Sequence, residues 1–181
     1  KKVNEKCRSQ GFAVRLVHPA KSIIPGTSNL VTTRDAASTE TLLGERVALH
    51  LKLTTPRRPH SEHYPTSPMG ALTLVRQAWY DARWYRDASA IYRQKPALPR
   101  PERNLALEAL EPYLDGKRPV VIEAQDNLFL LRADQVGKEF GLRVIVRGSG
   151  DEYQWLDAVK ATGRPVIVPV QFPKAPDVAM P

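Results

Sequence analysis

Three polar residues stand at or just after the ends of three short β-branched runs in the last third of the chain. Glu123 follows Pro119-Val120-Val121-Ile122, Arg147 follows Leu142-Arg143-Val144-Ile145-Val146, and Gln171 follows Arg164-Pro165-Val166-Ile167-Val168-Pro169 by two positions. A carboxylate, a guanidinium and an amide at adjacent strand ends either tie each other down, with Glu123–Arg147 as a structural ion pair, or face a substrate as a polar cluster. The histidines are His18, His50, His60 and His63. His18 follows an apolar run and His50 lies within another, so both are pocket candidates; the rival reading of His50 is a hydrogen-bonded core histidine. His60 and His63 form an H-x-x-H pair in a proline-bounded loop, and no H-x-H occurs. Zinc requires further ligands anchored on regular structure, so that pair reads as solvated loop.

Other motifs are weaker. Ser67 in Thr66-Ser67-Pro68-Met69-Gly70 lacks a strand elbow and a G-x-S-x-G pattern, and reads as a helix N-cap. Arg147-Gly148-Ser149-Gly150-Asp151-Glu152 joins a strand to a helix start, where backbone N–H groups can hold an anion. Asp151 and Glu152 oppose an external anion there and suit the first turn of the helix. No phosphate-cradling glycine motif is present. The residues by themselves assign no catalytic group, no metal ligand and no cofactor.

The 181 residues can form one domain with a substantial core, and we treat 1–181 as a single domain. The formal net charge of +8 raises the question of nucleic acid. The cations are dispersed, with no block of like charges and no basic strand interleaved with aromatics, so a solvated basic surface is expected rather than a nucleic-acid site. Cys7 is the sole cysteine, which rules out an internal disulfide framework and a thiolate cluster. No membrane span is expected. The chain opens Lys1-Lys2-Val3 and is expected to run almost directly into a strand, as an internal segment of a longer protein would.

The elements that must position these residues follow from periodicity. A buried strand is expected over 11–17, turn chemistry at 25–28, a short strand at 30–33 and another at 46–53. A helix opens at Ser67-Pro68 and keeps Leu72, Val75, Trp79 and Ala82 on one face to about residue 92. A second carries Leu105, Leu107, Leu110 and Leu114 and ends near Gly116. The three strand runs then alternate with two helices: one capped by Asp126 and carrying Leu128, Leu131, Val136 and Phe140, the other carrying Leu156 and Val159. Continuous apolar strands separated by helices predict parallel pairing of 119–124, 142–147 and 164–169. This α/β order suits part of a (β/α)8 barrel and equally an open doubly wound sheet; periodicity does not separate them.

Several blocks, in order, resemble large bacterial amidohydrolase-superfamily proteins. They are the stretch from Tyr64 to Gln77, Asp81-Ala82-Arg83-Trp84-Tyr85, Leu131-Arg132-Ala133-Asp134, Lys138-Glu139-Phe140-Gly141, Gly148 to Tyr153, and Gln171 to Val178. The resemblance implies a partial, distorted (β/α)8 TIM barrel of the imidazolonepropionase/dihydroorotase type with parallel strands. It implies a parent protein that hydrolyses C–N bonds of non-peptide amides, imides or cyclic ureides with zinc or another divalent metal. It further implies a small-molecule substrate, the remaining half of the barrel and a second amidohydrolase module as partners, and an exported (periplasmic or secreted) location. The same resemblance places an H-x-H before Lys1 and a metal-binding aspartate after Pro181, and histidines where this chain has Glu123 and Gly148. The expectation is therefore a segment without a metal centre of its own, with a non-catalytic ligand-binding or scaffold module as the alternative.

Overall fold

Short β-branched runs separated by helices pair in parallel, because each helix crosses over between neighbouring strands. The computed structural model, which describes residues 2–55 and 64–170, has this arrangement in its second half. In chain order the elements are α1 (Lys2–Ser9), β1 (Val14–Val17), β2 (Gly26–Thr27), β3 (Asn29–Thr32), α2 (Ser38–Thr41), β4 (Leu42–Gly44) and β5 (Leu49–Lys52). Then follow α3 (Pro68–Gln94), α4 (Leu105–Leu110), β6 (Pro119–Glu123), α5 (Asn127–Phe140), β7 (Arg143–Arg147), α6 (Leu156–Thr162) and β8 (Val166–Ile167). One sheet runs β2-β5-β6-β7-β8; β5 to β8 are parallel neighbours and β2 pairs antiparallel with β5. The expected parallel pairing of the three late strands is thus observed.

The order β5-β6-β7-β8 never reverses. A doubly wound sheet requires a reversal to send its helices to both faces, so this sheet is singly wound, and right-handed crossovers put its helices on one side. Burial agrees. Leu49, Leu51, Val120, Ile122, Val144 and Val146 share one face by register, and none is more than 2% exposed. They pack with Ala71, Val75, Trp79 and Ala82 of α3 and with Phe129, Leu130, Ala133, Val136 and Phe140 of α5. The alternate residues His50, Val121 and Ile145 look away from that core. No closed barrel is formed among the described residues.

The helix termini follow their capping chemistry. Ser67 Oγ accepts from Gly70 N at 3.1 Å, Asp126 Oδ1 accepts from Phe129 N at 2.9 Å, and α5 and α6 end on left-handed Gly141 and Gly163. Gly137, mid-helix, is there for space: a Cβ would lie 2.7 Å from Val144 Cγ2. α5 is also pinned by charge. Asp134 binds Arg164 at 2.8 Å and Lys138 at 2.7 Å; burial pushes its carboxyl up, but these two hydrogen-bonded cations outweigh that and hold it below the usual value.

The first third departs from expectation. α1 precedes the first strand, so the chain does not open directly onto one. The 11–17 run is not a buried strand: β1 belongs to a separate antiparallel sheet, β1-β3-β4, with Val14 46% and Leu16 40% exposed. Residues 26–27 of the expected turn form β2, because Gly26 and Thr27 pair with His50 and Leu49. β4 carries too few residues for its alternation to show. In α5 Val136 and Phe140 are buried as expected, but they are joined by Phe129, Leu130 and Ala133 rather than by Leu128, which is exposed, and Leu131, which is half-buried. Apolar residues on both faces made the helical phase ambiguous. The H-x-x-H pair, most of the proline-rich loop and Gln171 lie outside the described residues.

The one-sided core has a measurable consequence. In urea denaturation of the full-length protein, Ile122→Ala is expected to cost about 2–5 kcal/mol, as a fully enclosed aliphatic does. Ile145→Ala, on the other face of the same sheet, should cost about 1 kcal/mol. Equal costs would mean that both faces are packed alike.

Candidate functional site

The face turned away from the helices carries the polar residues. Lys52, Glu123 and Arg147 are register partners at the C-terminal ends of β5, β6 and β7, so their side chains stand level and on one side. Glu123 uses both oxygens: Oε1 lies 3.0 Å from Lys52 Nζ, and Oε2 accepts from Arg147 Nη1 at 3.1 Å. The ion-pair reading of Glu123–Arg147 is what the structure contains, extended by one cation. Lys52 escaped the sequence analysis although it lies at the end of the 46–53 run with the same parity as His50. Only the register against β6 brings it to Glu123.

One residue pair back along β5, His50 is buried at 6% exposure and stacks on His18, with ring centroids 3.9 Å apart and planes 6° from parallel. His18 comes from the segment between β1 and β2, which lies against this face of the sheet. The Pro19 carbonyl can only accept, so His18 Nδ1 is the donor in their 2.7 Å contact. His50 Nε2 is buried without a protein partner. Burial pushes the His50 imidazole down to about 4; the charges of His18 and Arg147 push the same way, against the upward pull of Glu123. The two pocket histidines and the Lys52–Glu123–Arg147 row thus border one cleft, roofed by Pro19 and Pro25, with a volume of about 10 Å³, room for about one water.

Parallel rings point their in-plane nitrogen lone pairs into separate planes, so His18 and His50 do not converge on one ion while stacked. The carboxylate beside them is held by two cations. Among the described residues no group of three or more His, Cys, Asp or Glu could hold a metal ion.

The loop after β7 is also occupied by the chain itself. Glu152 is buried and its carboxylate accepts from Ser149 N at 2.6 Å and from Gly150 N at 3.0 Å. The backbone N–H groups that could hold an outside anion hold this one instead. Gly148 is what makes room: a Cβ there would sit 2.3 Å from Glu152 Oε1. The position where the resemblance puts a histidine therefore has no space for any side chain unless Glu152 leaves.

Two measurements check this electrostatics. His50 binds a proton less readily folded than unfolded, so its contribution is complete above about pH 6.5 and is lost as pH falls towards 4. Urea stability of the full-length protein should drop by about 2–3 kcal/mol over that window, and His50→Phe should flatten the drop; an unchanged pH profile in the variant would contradict the assignment. Glu123 is 31% exposed and its partners 33% and 53%, so the pairs are partly screened. Glu123→Gln should cost about 1 kcal/mol at low salt and much less at high salt; a salt-independent loss would mean a buried charge.

No protein-family model matches the chain, and no curated protein sequence matches it. Among solved structures, an amidohydrolase from Thermotoga maritima MSB8 is similar, with a TM-score of 0.82 at 18% sequence identity. The match covers 93% of this chain and 45% of that one, so this chain spans less than half the length of the protein it resembles. No helix among the described residues is long and apolar enough to cross a membrane. What the likeness establishes is the fold: this α/β chain is built like part of an amidohydrolase.

Proposed function

We propose that this chain is a segment of an amidohydrolase-type protein whose whole hydrolyses C–N bonds in non-peptide amides, imides or cyclic ureides, and that it supplies scaffold rather than a metal centre. The observation that carries the reading is the likeness of fold over 93% of the chain to an amidohydrolase, together with the singly wound sheet whose strand ends face one way. In this reading the rest of the barrel, and a second module where the parent has one, lie outside the chain, and the parent acts on a small molecule in an exported compartment. Zinc or a similar ion belongs to those other parts. The described residues do not fit it: His18 and His50 are stacked, the strand-end carboxylate is neutralised, and Gly148 offers no ligand.

A specific observation favours a ligand-binding or scaffold module as the second reading. Both Glu123 oxygens are engaged by cations, so this carboxylate is a poor general base and a poor nucleophile as it stands. Glu123→Ala in the full-length protein separates its roles. Hydrolysis of amide, imide and cyclic ureide substrates, normalised to folded protein, should remain within a few-fold of wild type. A loss of about a thousandfold at unchanged stability would make Glu123 catalytic and overturn the scaffold reading. A full-length protein that hydrolyses none of these substrates, with or without added zinc, would overturn the hydrolase reading and leave the binding module.

A further inference from the structure

Cations far apart in sequence meet at the N-terminal ends of the parallel strands. Arg46 precedes β5, Lys117 and Arg118 precede β6, and Arg143 opens β7. The register sets Leu49 opposite Val120 and Pro119 opposite Arg143, so these four residues flank the starts of three adjacent strands. Two contacts show how close they are. Arg118 Nη1 donates to the Arg46 carbonyl at 3.2 Å, and a Cβ on Gly116 would lie 2.6 Å from the Gly141 carbonyl oxygen and 3.7 Å from Arg143 N. Neighbouring strands are about 4.8 Å apart, so the row is about 10 Å wide.

The charge of this row is uncompensated. All four side chains are exposed, and among the described residues none of them forms an ion pair. Asp115, just before Gly116, is turned to Arg86 at 2.8 Å. Glu45, beside Arg46 in sequence, is exposed and makes no ion pair either, which leaves the row strongly positive. Arg46 is also fixed in place. Its φ of 50° lies in the left-handed region, uncommon for a residue with a side chain. It is held there because its N–H donates to Asn29 Oδ1 and its carbonyl accepts from Tyr113 Oη and Arg118.

Guanidinium groups favour oxyanions, which each can bind through two parallel N–H donors. The surroundings add little else. Tyr113, the aromatic in contact with the row, is 1% exposed and presents no face on which a nucleic-acid base could stack. Charge alone must then hold the ligand. One exposed ion pair is worth at most about fivefold in affinity, whereas an anion meeting four cations at once gains on the order of a few hundredfold. Several charges on linked groups within so short a span describe a polyphosphate. We propose that the starts of β5, β6 and β7 form a binding site for a compact di- or triphosphate group, held by Arg46, Lys117, Arg118 and Arg143. The row lies at the opposite end of the sheet from Lys52, Glu123 and Arg147, so the site stands or falls independently of the hydrolase reading.

The test is calorimetric titration of the full-length protein at low salt with inorganic tripolyphosphate, ATP and orthophosphate. Tripolyphosphate should bind at least about tenfold tighter than orthophosphate, and ATP within about threefold of tripolyphosphate, since no base is read. Arg118→Gln and Arg143→Gln should each weaken tripolyphosphate about fivefold. Lys21→Gln, which removes the same charge from the exposed segment near the histidine cleft, should leave the affinity within about twofold. If Arg118→Gln fails to fold by circular dichroism, Arg143→Gln decides, because its side chain has no ion-pair partner among the described residues to lose. Absence of saturable binding, equal affinity for orthophosphate, or equal losses in Lys21→Gln and Arg143→Gln would each overturn the proposal. Tighter binding of a glutamate decapeptide than of tripolyphosphate would overturn it in favour of an acidic protein segment.

Discussion

The strand order β5-β6-β7-β8 contains no reversal, and most of what distinguishes this chain depends on that. Each crossover is held to one hand by the twist of the strand and the coil of the helix, so successive crossovers without a reversal stack their helices on the same side. One face then receives all the helical cover and buries a continuous aliphatic layer from Leu49 to Val146. The opposite face has only what the loops bring to it. Within the strands that side is still apolar at Val121 and Ile145, but at the strand ends it carries Lys52, Glu123 and Arg147, all of which retain solvent contact.

The uncovered face is stabilised by groups that satisfy one another. Glu123 stands between two cations at one level of the sheet, so it carries neither an unpaired charge nor a free lone-pair-rich edge. His50 is kept neutral by its burial under His18 and by the nearby cations. Glu152 fills the backbone N–H cradle that follows β7. These three solutions are local and independent, yet each removes a reactive possibility: a free base, a protonatable ring near neutral pH, an anion hole. Folding stability and chemical availability pull in opposite directions at such sites, because a group held by partners must give them up before it can act.

The second half of the fold was legible in the residues and the first half much less so. Runs such as Val120-Val121-Ile122 and Val144-Ile145-Val146, each preceded or followed by helix caps at Asp126, Gly141 and Gly163, carry period, length and punctuation together, and the parallel pairing followed from them. The 11–17 run carries apolar content without such punctuation, and content alone says nothing about which sheet a strand joins. β2 was read as a turn because Gly26 favours one, and tertiary pairing with β5 overrode the local preference. At the site, Glu123–Arg147 could be read because both end strands of similar length. Lys52 and the His18–His50 stack could not, since they depend on register between β5 and β6 and on a loop folding back, neither of which is written in local sequence.

The two edges of the main sheet differ in a way that bears on what must lie beside it. At one edge β2 is two residues long and antiparallel to β5, and the chain turns away at once into β3 of the other sheet. Short and reversed, it ends the run of parallel strands and offers little template for another. At the opposite edge β8 pairs in parallel with β7 over Val166 and Ile167, and Ile167, Val168 and Val170 are all substantially exposed. Among the described residues no strand pairs with the outer edge of β8, and β-branched residues at successive positions there are the composition of an interior strand, not of a protected border. The parallel series is therefore closed off by sequence on the β2 side and left apolar on the β8 side. It is at β8, rather than at the histidine cleft or the helix-covered face, that burial physics asks for further structure.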